Sequence, residues 1–77
     1  MTKNSNAWFL KDAQTGQYLQ TQWNRLTNEF DLWLDPRRAW SPMFQTQADA
    51  QEWLYRLLSS TQNVGPAVDC EPVEENK

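Results

Sequence analysis

The chain has 77 residues, enough for one domain, and so short a chain buries only about 60% of the surface that its unfolded form exposes. One cysteine and no histidine exclude an intramolecular disulfide and a zinc site of thiols and imidazoles. Stability must come from packing, for which five tryptophans, three phenylalanines and two tyrosines supply the bulk, or from self-association.

Charge divides unevenly along the chain. Up to Leu58, Lys3, Lys11, Arg25, Arg37, Arg38 and Arg56 balance Asp12, Glu29, Asp31, Asp35, Asp49 and Glu52. The remaining stretch sets Asp69, Glu71, Glu74 and Glu75 against Lys77, which accounts for the net charge of −3. No basic stripe of the kind that binds nucleic acid is present. Met1–Ala7 lacks the charged start, apolar stretch and cleavage site of a signal peptide. No apolar run approaches the ~20 residues that span a bilayer. With one unpaired cysteine, the expected location is the cytoplasm, away from membranes.

Residues 1–6 are expected to be disordered. Ala7–Lys11 is short, aromatic and apolar and reads as a strand. Asp12–Gly16 reads as a turn, with Gly16 free to take a positive φ, and Gln17–Gln22 as the returning strand. Trp23–Asn28 is a polar connector. Glu29–Asp35 alternates, with Phe30, Leu32 and Leu34 on one face and Trp33 on the other, as in a half-buried antiparallel strand. Asp35-Pro36 suits the start of one helical turn through Ala39. Ser41-Pro42 ends that turn, and Met43–Gln45 reads as extended. Thr46 caps a helix over 47–58 with Asp49 three positions on. Its apolar stripe is Ala50, Trp53, Leu54, Leu57 and Leu58. Residues 59–77 have too few apolar side chains to fold and read as a disordered acidic tail.

The expected fold is therefore α+β: a single domain over 7–58, with an antiparallel sheet of three strands or four and one C-terminal helix packed on one face. The other face is left for water or a partner.

Thr15-Gly16-Gln17-Tyr18-Leu19, Trp33-Leu34-Asp35, Ala39, Phe44, Thr46 and Asp49-Ala50 together resemble a loose group of very small proteins of Gram-positive bacteria and their phages. The likeness spans about residues 8–58. The chain departs from the pattern where four residues, Trp40 to Met43, separate Ala39 from Phe44 in place of about two. These are turn, cap and core residues, so the resemblance implies a fold and no activity.

No pattern points to catalysis. Asp31 and Asp35 share a strand face about 13 Å apart by strand rise, too far for an acid–base pair, and nothing adjacent would raise a pKa. Cys70 has no histidine to activate it, and Asp69 and Glu71 beside it suppress the thiolate. The chain thus reads as no enzyme, with no cofactor and no metal. Trp8 and Trp53 read as core, whereas Trp23, Trp33 and Trp40 are open between core and surface.

Asp31, Trp33, Arg37, Arg38 and, at the margin, Trp40 form the candidate protein-binding surface. They combine a tryptophan on the outer sheet face with two arginines a short turn beyond. The plainer alternative pairs both arginines with Asp31 and Asp35 and sets Trp33 against Tyr18 across the sheet. The expected function is a small interaction module that binds another protein or a second copy of itself. The alternative is a nucleic-acid or carbohydrate binder that uses exposed tryptophans.

Overall fold

A computed structural model describes residues 6–60 and 64–77. Of residues 1–6, expected to be disordered, 1–5 lie outside it and Asn6 is instead the first residue of a strand. Strands β1 (Asn6–Asp12), β2 (Tyr18–Asn24), β3 (Glu29–Asp35) and β4 (Cys70–Asn76), with helix α1 (Gln47–Ser60), form an α+β fold. The antiparallel sheet has the order β3-β2-β1-β4.

The β1–β2 turn is built by Asp12. Its Oδ2 accepts hydrogen bonds from the Thr15 amide and hydroxyl, both at 2.8 Å. Gly16 donates to the Asp12 carbonyl and sits at φ +74°, where a side chain would be strained. The β2–β3 turn uses Asn28 at φ +60°, a conformation that asparagine tolerates better than most residues.

Helix α1 starts as its cap residues dictate, with Thr46 Oγ1 accepting from the Asp49 amide at 3.1 Å. It buries Ala50, Leu54 and Leu57 against Leu10 and Leu19 of the sheet, with Phe30, Leu32 and Leu34 packed around them. Leu58 departs from the expected stripe and is 37% exposed. At 3.6 residues per turn, Trp53 and Leu58 lie on opposite flanks, each about 70° from the centre of the buried stripe. Trp53 meets Phe30 and Phe44 there.

Two expectations are corrected. The first is the disordered tail. Residues 61–63 lie outside the described part, but Gly65–Ala67 form a 3-10 turn whose Ala67 is fully buried, and Cys70–Asn76 pair with β1 along their whole length, from Asp12 opposite Cys70 to Asn6 opposite Asn76. Composition misleads because an edge strand is held by its backbone. Asp12 and Trp8 both donate their amides toward the β2 side, so Leu10 between them does the same. Its partner Pro72 therefore occupies a non-hydrogen-bonded position, where a missing N–H costs the ladder nothing.

The second correction concerns residues 36–43, which form bends and a turn rather than a helical turn. Asp35 Oδ1 accepts from the Arg37 amide at 2.8 Å, an Asx turn in place of a helix cap. The segment then binds Gln20. The Gln20 Nε2 donates to the Arg37 carbonyl at 2.6 Å and to the Tyr18 carbonyl at 3.1 Å, and its Oε1 accepts from the Trp40 amide at 2.7 Å. In the register set by Lys11 and Tyr18, Trp8 would face Thr21. Instead Thr21 donates to the Trp40 carbonyl, and Trp8 exchanges two hydrogen bonds with Phe44. The connector is thus inserted between β1 and β2 where they part. Ala7 and Phe9, which alternate with the core residues Trp8 and Leu10, are 1% and 3% exposed. The sheet face away from the helix is therefore covered at Ala7 and Phe9 of β1 and at Gln20 of β2.

Gln20→Ala is expected to leave the Arg37 carbonyl and the Trp40 amide unpaired, at about 1–3 kcal/mol for each group that stays buried. Hydrogen exchange should show faster exchange at Trp40 and Thr21 than in α1. Leu54→Ala is expected to cost about 2–5 kcal/mol and Thr46→Ala about 1 kcal/mol, both read from denaturant midpoints.

Candidate functional site

The five residues expected to form a docking surface have different surroundings in the structure. Asp31 is exposed and its Oδ2 accepts from Asn24 Nδ2 at 3.2 Å. Arg37 is paired with Asp35 at 3.3 Å, with 83% of its side chain in solvent. Trp33 is half-buried and stands opposite Gln20 in the register, whereas Tyr18 stands opposite Asp35. The ring that Tyr18 meets is Phe9, edge-on at 6.0 Å. Trp40 keeps 58% of its surface in solvent while its backbone joins β2.

Arg38 is occupied in holding the fold. Its guanidinium lies over the Phe9 ring at 4.5 Å and is 5.9 Å from the Tyr18 ring. It donates to the Asn76 carbonyl and lies 3.9 Å from Glu75. Glu75 is the hub of this face, accepting from the Tyr18 hydroxyl and from Lys11 Nζ at 2.9 Å. Those contacts explain the titration shifts. The Tyr18 hydroxyl first, then Lys11, hold the Glu75 carboxyl below its usual range, and Glu75 raises both Lys11 and Tyr18. Thr15 lowers Asp12, and the Arg37 amide lowers Asp35. Each shift serves a turn or a strand contact.

Cys70 is buried, and its thiol donates to the Pro66 carbonyl at 3.3 Å. Its pKa is pushed up to about 12, by burial first and then by Asp12 and Asp69. The thiolate is suppressed as expected, although burial outweighs the neighbouring charges and Asp12 contributes where Glu71 was expected. Among the described residues, no group of three or more metal-ligating side chains is gathered, and no helix is long and apolar enough to cross a membrane.

The feature that the sequence reading missed lies on the helix side. Trp23 stands opposite Phe30 in the register. Their rings meet edge-on at 5.1 Å, Phe30 meets Trp53 at 6.0 Å, and Trp53 meets Phe44 at 5.7 Å. This run of four rings lines two adjoining hollows that share Trp53 and Arg56. One, of about 400 Å³, is closed by Asn28, Glu29 and Leu57. The other, of about 390 Å³, is closed by Met43, Gln45, Asp49 and Glu52. Trp23 is 49% exposed and Met43 55%. Arg56 is bound to Glu52 at 3.0 Å. The available signal was the alternation of Leu19, Thr21 and Trp23, which puts Trp23 on the same face as Phe30.

Comparison with protein-family models, with curated proteins and with solved structures returns no match.

Glu75 makes a pH prediction. Its folded pKa is depressed, so its stabilising contribution is present above the ordinary carboxylate pKa and is lost as pH falls through the folded value. Urea midpoints from about pH 6 to about pH 3 are expected to fall less steeply for Glu75→Gln than for the wild type. Asp12 and Asp35 should supply the remaining slope.

Proposed function

We propose that the chain is a small non-enzymatic protein-interaction module, an accessory protein of phage or prophage type, that presents its aromatic groove to a protein partner. The observation that carries this reading is the run Trp23, Phe30, Trp53 and Phe44 along a half-open groove, with Met43 and Arg56 at its margins. Rigid aromatic side chains, methionine and arginine are the residues enriched at interface centres. The phage-type assignment rests on the residue pattern from Thr15-Gly16 to Asp49-Ala50. The non-enzymatic reading is supported by the use of every shifted carboxylate in a turn or strand contact. Arg37 and Trp40 remain exposed and form a secondary patch on this reading.

A second reading has its own observation. The ring-lined hollow also holds Asn28, Glu29 and Arg56, planar polar groups beside flat rings that suit a sugar. A nucleic-acid backbone is served less well, because Glu29, Asp49 and Glu52 outnumber Arg56 around the groove.

Selection of random displayed peptides, run beside a glycan array, separates the two readings. Peptides enriched by the wild type are expected to lose at least about tenfold in affinity on Trp23→Ala, equivalent to about 1.4 kcal/mol. Arg37→Glu combined with Trp40→Ala is expected to leave that affinity unchanged. Trp23-dependent binding of glycans without peptides would replace the protein reading by the carbohydrate one, and binding of neither would remove the groove as the site.

A further inference from the structure

We propose that residues 73–76, the second half of β4, form a pH-gated latch: protonation of Glu75 releases them from β1 while the rest of the fold stays in place.

The two halves of β4 are fastened differently. The first is tied into the core and the neighbouring turn. Cys70 and the preceding Ala67 belong to the buried cluster. The Cys70 thiol donates to the Pro66 carbonyl at 3.3 Å, and the Ala13 amide donates to the Asp69 carbonyl at 2.9 Å. After Cys70 no residue of β4 is buried. Trp8, Leu10 and Asp12 turn their amides toward the β2 side, so the ladder to β4 runs through the alternate residues of β1. Beyond Pro72 it is left with two hydrogen-bonded pairs, Phe9 with Val73 and Ala7 with Glu75. None of residues 73–76 belongs to the buried cluster, so their departure leaves Leu10, Leu19, Ala50, Leu54 and Leu57 packed.

One carboxylate holds this end down from three elements. Glu75 accepts from the Tyr18 hydroxyl of β2 and from Lys11 Nζ of β1 at 2.9 Å. It lies 3.9 Å from Arg38 of the connector, which also donates to the Asn76 carbonyl. The other charged side chains toward this face are Glu71, opposite Lys11 in the register, and Lys77, two residues beyond Glu75. Glu74 lies on the opposite face by strand alternation. The Glu75 side chain keeps 25% of its surface in solvent, so a proton reaches it without prior unfolding. Protonation turns the Tyr18 bond from a charge-assisted one into a neutral one of about half the strength. It also leaves Lys11 and Arg38 as two cations on either side of a neutral group.

The Tyr18 hydroxyl first, then Lys11, hold the Glu75 carboxyl below its usual range. With the folded pKa depressed, the latch is closed above the ordinary carboxylate pKa and opens as pH falls through the folded value. Asp12 and Asp35 are lowered as well, but Asp12 fastens the β1–β2 turn and Asp35 the Arg37 amide. Loosening that begins at residues 73–76 is therefore the mark of Glu75. Opening frees the backbone of Ala7 and Phe9 on the β4 side and makes that part of β1 an open sheet edge.

Backbone amide relaxation of the full chain, measured by NMR in steps from about pH 7 to about pH 3 across the carboxylate range, tests the latch. At neutral pH residues 73–76 are expected to be as rigid as β2, with order parameters of about 0.85, and in acid to fall below about 0.6 while β2 and α1 keep theirs. Glu75→Gln should show the loosened pattern already at neutral pH, and Glu74→Gln should behave as the wild type. The latch is overturned if residues 73–76 of the wild type stay as rigid as β2 until the whole chain unfolds, or loosen only together with α1. It is overturned equally if a folded Glu75→Gln keeps them rigid at neutral pH, or if Glu74→Gln loosens them there. The wild-type titration decides by itself should Glu75→Gln not fold.

Discussion

The amide of Gln20 is the constraint on which the rest of the arrangement depends. A glutamine that is 1% exposed in the middle of a strand is tolerable only if its polar atoms are paired. Here the pairing fixes the path of a whole segment. By binding both Arg37 and Trp40, Gln20 draws the connector down between β2 and β1, and the two strands separate beyond Leu10 and Leu19. Three consequences follow from that separation. Phe9 gains a cover, with Arg38 over its ring. Phe44 reaches Trp8 and fills the vacant edge of β1. The chain then leaves Phe44 two residues short of Thr46, so the bridge also sets where α1 begins.

The groove inherits this geometry. Phe44 supplies its last ring and is held by the bridge to Trp8, while Trp23 and Phe30 are placed by the β2–β3 register and Trp53 by the helix. The four rings come from four separate elements, so no local stretch of the chain makes the surface. A similar division of labour holds on the other face, where Glu75 of β4 gathers Tyr18 of β2, Lys11 of β1 and Arg38 of the connector. One face is closed by charge and hydrogen bonding, and the opposite flank is left with exposed Trp23 beside three half-buried rings.

What was legible in the sequence follows the range of the interactions. The Asp12–Gly16 turn, the alternation in Glu29–Asp35 and the Thr46 cap are local, and each was readable because one or two residues decide it. Strand β4 was not, since Glu71, Pro72, Glu74 and Glu75 argue for disorder when counted as side chains. Their backbone is satisfied by β1, sixty residues or more away in the chain, and no window of sequence contains both. The surroundings of the expected docking residues were not legible for the same reason. Trp33 does face away from the helix side of β3, but the connector and β4 claimed Arg38 for the fold. Gln20 carried no signal of its own, because a strand glutamine is ordinarily a solvated residue.

The pairing of β1 with β4 has a consequence for how this chain acquires its structure during synthesis. Asn6 lies opposite Asn76, so β1 is completed by a strand made about sixty residues later. The most distant ladder in the sheet carries the largest loop-closure cost and therefore raises the contact order of a very small protein. On a ribosome, where chains emerge from the amino end, β1 must wait with one edge unpaired until residues 70–76 are released. During that interval Ala7 lacks its ladder partner Glu75, and Arg38 over Phe9 lacks its contacts with Glu75 and Asn76. The acidic residues around β4 are then made just as the unpaired edge is most in need of cover. The β1 edge is therefore open to nonspecific strand addition until β4 has docked on it.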